Sequence, residues 1–328
     1  MPKNNNLNAV QLPMDIRFDV EPETEFKVLE DSLQVTLVDA PTEEQLLSYI
    51  PQYVNATWAE NAFEYKDYTD EHKKMSVVKM LKGKTLPSAL ETIRFTFMIT
   101  GITLQEVTHI LRHRQGSFSA VCTGDRFMHF DDVIMPESIA NSPEFAERYK
   151  QLAIESKKLY ADMIDTKEIS LMDARYALPK STNQTYYMSM NYKDLVGFIK
   201  QRIDQAIQPA SDNIMAYQMW NAVCKQLPIV SLAEVVDYEM PSWFFINTAR
   251  SGNSTNLYLP APHNDKFEWN EDDFIYKKQR YELSGTNGKP STFSNKLNSY
   301  IKELNEIKAE YEKNNPDVAD MFEQVKNM

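Results

Sequence analysis

Ile93-Arg94-Phe95-Thr96-Phe97-Met98-Ile99-Thr100-Gly101-Ile102-Thr103, continued by Leu104-Gln105-Glu106-Val107-Thr108-His109-Ile110-Leu111-Arg112-His113-Arg114, is the stretch that decides the fold. In Ile93–Ile99 the side chains of Ile93, Phe95, Phe97 and Ile99 alternate with Arg94, Thr96 and Met98, the pattern of a half-buried strand. Gly101 is expected to break that strand. Thr103 then offers an N-cap hydroxyl, and Leu104, Val107, Ile110 and Leu111 follow at helical spacing. Gln105, His109 and Arg112 occupy another face at steps of four and three, so the helix is expected to deliver a histidine and two arginines to its C-terminal end, where Gly116 turns the chain.

Outward from this centre, Gln34–Val38 alternates like a strand, and Thr42 is placed to cap a helix from Glu43 with Leu46, Leu47 and Ile50 inside. Tyr65–Lys74 is charged and expected to be exposed. Glu144–Lys158 reads as a mostly solvent-facing helix. In Asn191–Ile203 the side chains of Leu195, Phe198, Ile199 and Arg202 share one face; an arginine ending an apolar face snorkels or meets an anion. Beyond Leu227 come the apolar Trp243–Ile246, a turn-rich stretch and a charged helix over Lys296–Lys313. Strands interleaved with amphipathic helices predict an α+β fold, a mixed or antiparallel sheet flanked by helices. The expected organisation is an N-terminal extension (1–32), a main domain (33–230) and a C-terminal extension or small appended domain (231–328). Trp243–Ile246 is expected to pack the last part onto the core, since such a patch is a liability when exposed.

The 328 residues, 42% hydrophobic and 25% charged, allow a sizeable core. No apolar run approaches a membrane span, the first residues lack a signal-peptide pattern, and two cysteines, Cys122 and Cys224, make neither a disulfide framework nor a zinc site. A cytoplasmic protein with no metal and no membrane partner is expected. The net charge of −12 argues against binding along a nucleic-acid backbone, which needs a basic stripe, but leaves room for arginines gathered around one small anion.

Arg112-His113-Arg114, followed after seven residues by Cys122, resembles the signature of the flavin-dependent thymidylate synthases. Three more blocks resemble that family in its order. They are Ser88-Ala89-Leu90-Glu91 before Phe95-Thr96-Phe97; Ala174-Arg175-Tyr176-Ala177-Leu178-Pro179; and Asn191-Tyr192-Lys193-Asp194-Leu195 leading through Phe198 to Arg202. The resemblance covers roughly Leu33 to Leu227. It implies that fold, and transfer of a one-carbon unit from methylenetetrahydrofolate to C5 of dUMP, giving dTMP, with FAD reduced by NADPH. It further implies a homotetramer whose subunits share each site. By the same resemblance Arg112, Arg175 and Arg202 face the nucleotide, Arg202 among the catalytic groups, while Ser88, Glu91, Arg112, His113, Arg114, Asn191 and Lys193 face the flavin. Arginines suit a nucleotide phosphate and the charge that develops on the pyrimidine ring.

The sequence departs from the family in several places. Cys122 stands where serine is usual, either as a small packed side chain or as a thiolate nucleophile toward C6. The usual Arg-Tyr pair is displaced by two residues to Arg126-Phe127, so Arg126 is the candidate phosphate ligand or else a surface arginine. Ser119 and Ala120 replace polar residues, Leu86 a histidine, Gly197 an asparagine and His109 a glutamine; His109 joins the candidate substrate residues because it shares a helix face with Arg112. These changes leave two alternatives open: a pyrimidine monophosphate hydroxymethylase on the same scaffold, and a nucleotide- or flavin-binding protein without turnover.

Overall fold

A computed structural model describes residues 25–61, 63–120, 132–203, 208–236, 238, 243–245, 280–282 and 292–326. In chain order the elements are β1 (Glu25–Val28), α1 (Leu29–Ser32), β2 (Gln34–Asp39), α2 (Glu43–Asn55), α3 (Asp70–Leu81), β3 (Arg94–Ile102), α4 (Leu104–Ile110), β4 (Ser117–Ala120), β5 (Asp132–Met135), α5 (Glu137–Ala140) and α6 (Pro143–Asp165). They continue with α7 (Leu171–Ala174), β6 (Gln184–Asn191), α8 (Tyr192–Arg202), α9 (Ala210–Gln226), β7 (Trp243–Phe245), β8 (Arg280–Glu282), α10 (Thr292–Asn314) and α11 (Pro316–Lys326).

The central sheet has the order β2-β3-β6-β4 and is antiparallel throughout; β1 and β5 form a separate parallel pair, and β7 and β8 an antiparallel one. The alternation in β3 does what the sequence implies: Phe95, Phe97 and Ile99 are fully buried, as are Met188 and Met190 on β6. Opposite them lie α8, with Leu195, Phe198 and Ile199 buried, and α9. Burial of each such side chain contributes about 1.5–3 kcal/mol, so this layer dominates the core.

Gly101 does not end β3, as the sequence led us to expect. The strand continues to Ile102 through a register shift between Ile99 and Ile102, with Gly101 at φ +67°. A Cβ there would lie 1.9 Å from the Ser32 carbonyl oxygen, so only glycine lets α1 approach this closely. Tyr65–Lys74 contains no buried residue, in line with the expectation of exposure, and Thr69 within it caps α3, whose buried Val77, Val78 and Met80 follow in its second half. α6 is longer than the sequence pattern suggested. Leu104 and Leu111, placed on the inner face of α4, are 42% and 45% exposed.

α9 runs through the middle of the core, and its Gln218 protects the edge strand β2 by accepting from Val35 N–H (2.8 Å) and donating to the Leu33 carbonyl (3.1 Å). The C-terminal helices join this core: Leu297, Ile301 and Leu304 of α10 and Val318, Phe322 and Val325 of α11 belong to the same buried cluster as β3. The expected contact through Trp243–Ile246 falls outside the described residues, since only the backbone pairing of Trp243–Phe245 with Arg280–Glu282 is described.

Candidate active site

The start of β3, the end of β6 and the start of β4 lie at one end of the sheet, because Arg94 pairs with Asn191 and Ser117 with Ser189. Two groups of site residues converge there. Ser88 and Glu91 sit in the 3-10 turn Pro87–Thr92, and Asn191 and Lys193 begin α8. Lys193 holds Glu91 at 2.7 Å. Asn191 caps α8: its Oδ1 accepts from Asp194 N–H (2.9 Å) and its Nδ2 donates to the Asp194 carboxylate (2.7 Å).

The second group is the turn that follows α4. Thr103 and Glu106 form a reciprocal capping box at its start, and its last turn closes at Ile110. Arg112-His113-Arg114 therefore lies just past the helix rather than on it. The turn is held by His113 N–H to the Ile110 carbonyl (3.1 Å) and Gly116 N–H to the His113 carbonyl (3.1 Å). Arg112 and Arg114 are exposed, and among the described residues no ion pair holds either. His113 points inward, with its ring edge-on to Phe198 at 4.6 Å between centroids.

Inside this turn Arg202 commits all of its N–H groups. Nε and Nη2 donate to His113 Nε2 (3.3 and 2.9 Å), Nη1 to Gln208 (2.8 Å) and to the Asp212 carboxylate (2.9 Å), and Nη2 also to the His109 carbonyl (3.1 Å). Because Arg202 only donates, His113 accepts with a bare Nε2 and carries its proton on Nδ1. Burial and then the Arg202 charge push the His113 pKa down from 6.5 to about 4, with Asp212 opposing in part. Asp212 also receives His109 Nδ1 at 3.2 Å, while His109 Nε2 faces the Gln105 amide at 3.3 Å.

The structure thus brings His109, His113 and Arg202 together, with Arg112 and Arg114 beside them. Arg175 stands apart. It lines a shallow cleft of about 250 Å³ with Leu104, Met172, Tyr176 and Gln184. Gln184 is the first residue of β6 and Asn191 the last, roughly 24 Å away at the usual rise per residue. Arg175 therefore lies at the opposite end of β6 from Asn191. Cys122 and Arg126 lie outside the described residues. Asp212 and Gln208 are partners that sequence reasoning missed; the one signal was an acid in the first turn of α9, which ordinarily complements a helix dipole. Among the described residues no group of three or more His, Cys, Asp or Glu side chains is placed to hold a metal ion, and no helix is long and apolar enough to cross a membrane.

A family model described as thymidylate synthase complementing protein matches residues 36–229. The flavin-dependent thymidylate synthase of Pyrococcus furiosus is 27% identical over 157 residues, covering 46% of this chain and 62% of that protein. Its namesake from Pyrococcus abyssi is 26% identical over 185 residues, 54% of this chain and 74% of that protein. The match thus spans about three fifths of the first relative's length and about three quarters of the second's. Among solved structures, the UMP/dUMP methylase PolB from Streptomyces cacaoi, bound with 5-Br dUMP, aligns with a TM-score of 0.52 at 18% identity, covering 64% of this chain and 96% of that one. At that identity the likeness is one of fold. The family match over more than half of the sequence makes this chain a divergent member of the flavin-dependent thymidylate synthase family.

Proposed function

We propose that the protein transfers a one-carbon unit from methylenetetrahydrofolate to C5 of a pyrimidine deoxynucleotide monophosphate, converting dUMP to dTMP, with FAD as cofactor and NADPH as reductant. The observation that carries this reading is the packing of Arg202 against the Arg112-His113-Arg114 turn, which leads into β4 at the end of the sheet where Asn191 closes β6.

The residues present fit a flavin. Arg112 and Arg114 are exposed cations without an ion pair among the described residues, and Lys193 stands at the N-terminus of α8, a donor set suited to a pyrophosphate. When bound, the flavin supplies the hydride that completes the methyl group. The chain's own part is binding and electrostatics. Burial, helped by the Arg202 charge, keeps His113 neutral, and Arg202 fixes its tautomer, so that an Nδ1–H remains for a ligand. Arg112 and Arg202 put positive charge beside the pyrimidine, where negative charge accumulates as C5 becomes nucleophilic. Arg175 joins this site from a second copy, in keeping with the expected homotetramer. Cys122 and Arg126 complete the nucleotide side as candidate nucleophile and phosphate ligand.

The test is the absorption spectrum of the purified protein, followed by product analysis of dUMP incubated with methylenetetrahydrofolate and NADPH. A bound flavin and a product heavier by one methylene unit are expected. A product heavier by that unit plus an oxygen would replace this reading with hydroxymethylation. Turnover retained in both Cys122→Ser and Cys122→Ala would remove the thiolate from the mechanism.

A further inference from the structure

Between α2 and the Tyr65–Lys74 segment lies a cleft of about 670 Å³, within the roughly 300–1,000 Å³ of small-molecule pockets. None of the candidate active-site residues lines it. Its two walls differ in chemistry. The wall opposite α2 carries Lys66, Lys73 and Lys74 beside the half-buried rings of Tyr65 and Tyr68. The lysines outnumber the acids of the cleft, Glu44 and Asp70, in a chain whose net charge is −12. His72 packs on Tyr68, with ring centroids 4.4 Å apart, and so holds that ring in place. Lys66 lies over the Phe63 ring, 4.7 Å from its centroid, and is in no ion pair among the described residues. Lys73 and Lys74 meet Asp70 at 3.4 Å and Asp317 at 2.6 Å. Both acids are more exposed than their lysines, so these contacts exchange readily for an anion in the cleft.

The α2 wall offers acceptors instead. Pro51 stands inside α2 and has no N–H, which deprives the Leu47 carbonyl one turn earlier of its helical donor; both residues line the cleft. Gln52 Nε2 donates to the Ser48 carbonyl (2.9 Å), which leaves its Oε1 to accept, and Glu44 adds a carboxylate. We propose that this cleft binds a nucleoside polyphosphate whose base carries an exocyclic amino group. The lysines hold the phosphates, a tyrosine ring stacks on the base, and the α2 acceptors, the Leu47 carbonyl first among them, receive the amino N–H groups. Three lysines match a polyphosphate chain better than a single phosphate group. This inference rests on the cleft itself and not on the proposed reaction. α2 also packs against the Pro87–Thr92 turn that carries Ser88 and Glu91, so the bound nucleotide and that turn share one helix.

The test is equilibrium dialysis of the full-length chain against ATP and CTP, and against ITP and UTP, their counterparts without the amino group. Each is measured with and without saturating dUMP, which separates this cleft from the candidate active site. At least one of ATP and CTP is expected to bind once per chain in both conditions, roughly tenfold more tightly than its counterpart. Lys66→Glu and Lys73→Glu are each expected to weaken that binding roughly tenfold, with an unchanged circular dichroism spectrum. Pro51→Ala returns an N–H to the Leu47 carbonyl and is expected to narrow the gap between the paired nucleotides to about threefold. Binding of neither ATP nor CTP would overturn the proposal, and so would their displacement by dUMP. Equal affinity within each pair, wild-type affinity in both lysine variants, or a full gap kept in Pro51→Ala would overturn it as well.

Discussion

Arg202 and Asp212 form a buried ion pair, Nη1 to Oδ2 at 2.9 Å, with side chains 8% and 1% exposed. Each belongs to a different helix, so the pair ties the end of α8 to the start of α9 and fixes Arg202 against the Arg112-His113-Arg114 turn. Removing one partner leaves the other charge buried and unpaired. Asp212→Ala is expected to destabilise the fold by roughly 3–5 kcal/mol in urea unfolding. The double variant Arg202→Met/Asp212→Leu is expected to cost less than Asp212→Ala alone. A double variant at least as unstable would show that packing, and not the charge, holds this junction.

His113 gives the protein a pH dependence of known sign. Its folded pKa of about 4 lies below the ordinary 6.5, so the folded state resists the proton more than the unfolded chain does. The stability it contributes is complete above pH 6.5 and is lost as the pH falls toward 4. His113→Gln, which keeps an acceptor for Arg202, is expected to flatten the decline of stability across that window. An equally steep decline in the variant would assign it to other groups.

Glu30 works in the opposite direction. Its side chain is buried and accepts from Glu137 N–H at 2.8 Å; burial pushes its pKa up from 4.5 to about 7, against that hydrogen bond. Its contribution is therefore full below pH 4.5 and is lost as the pH rises through about 7. Glu30→Gln is expected to be more stable than wild type at about pH 8, by at most about 3 kcal/mol, and to lose that advantage on acidification. Denaturant midpoints measured across the range check this, and a gain that does not vary with pH would refute the assignment.

Gly101 is the tightest steric point between α1 and β3. Gly101→Ala places a methyl group against the Ser32 carbonyl and a side chain at positive φ. A loss of about 2 kcal/mol or more in thermal or denaturant unfolding is expected. Gly83 is the control, since it also has positive φ but a Cβ there meets nothing within 4 Å; Gly83→Ala is expected to cost less.

The parts of this molecule that the sequence made legible are those with one wet face and one dry one. β3 alternates because one side meets α8 and α9, and α8 shows its stripe because its other side is exposed. α9 left no such trace: 12 of its 17 residues are buried, polar and apolar alike, so no period of 3.6 survives. Asp212 was hidden for the same reason, a partner supplied by a helix whose position only the tertiary fold defines. Gly101 was read as a break because a local rule cannot see the Ser32 carbonyl that demands it. The candidate site was legible as ordered blocks. That Arg175 lies at the other end of the sheet from Asn191 was not, because sequence order carries no direction in space.

The central claim is that this chain uses a flavin to methylate a pyrimidine monophosphate at the Arg112-His113-Arg114 turn. It is tested most directly by mass analysis of dUMP incubated with the FAD-loaded protein, methylenetetrahydrofolate and NADPH, beside Arg202→Lys loaded in the same way. The account predicts dTMP from the wild type and at least a hundredfold slower formation in Arg202→Lys, about 2.7 kcal/mol of barrier at 1.36 kcal/mol per tenfold. Unchanged dUMP with a wild type that takes up no FAD would contradict it, and so would equal turnover in the two proteins.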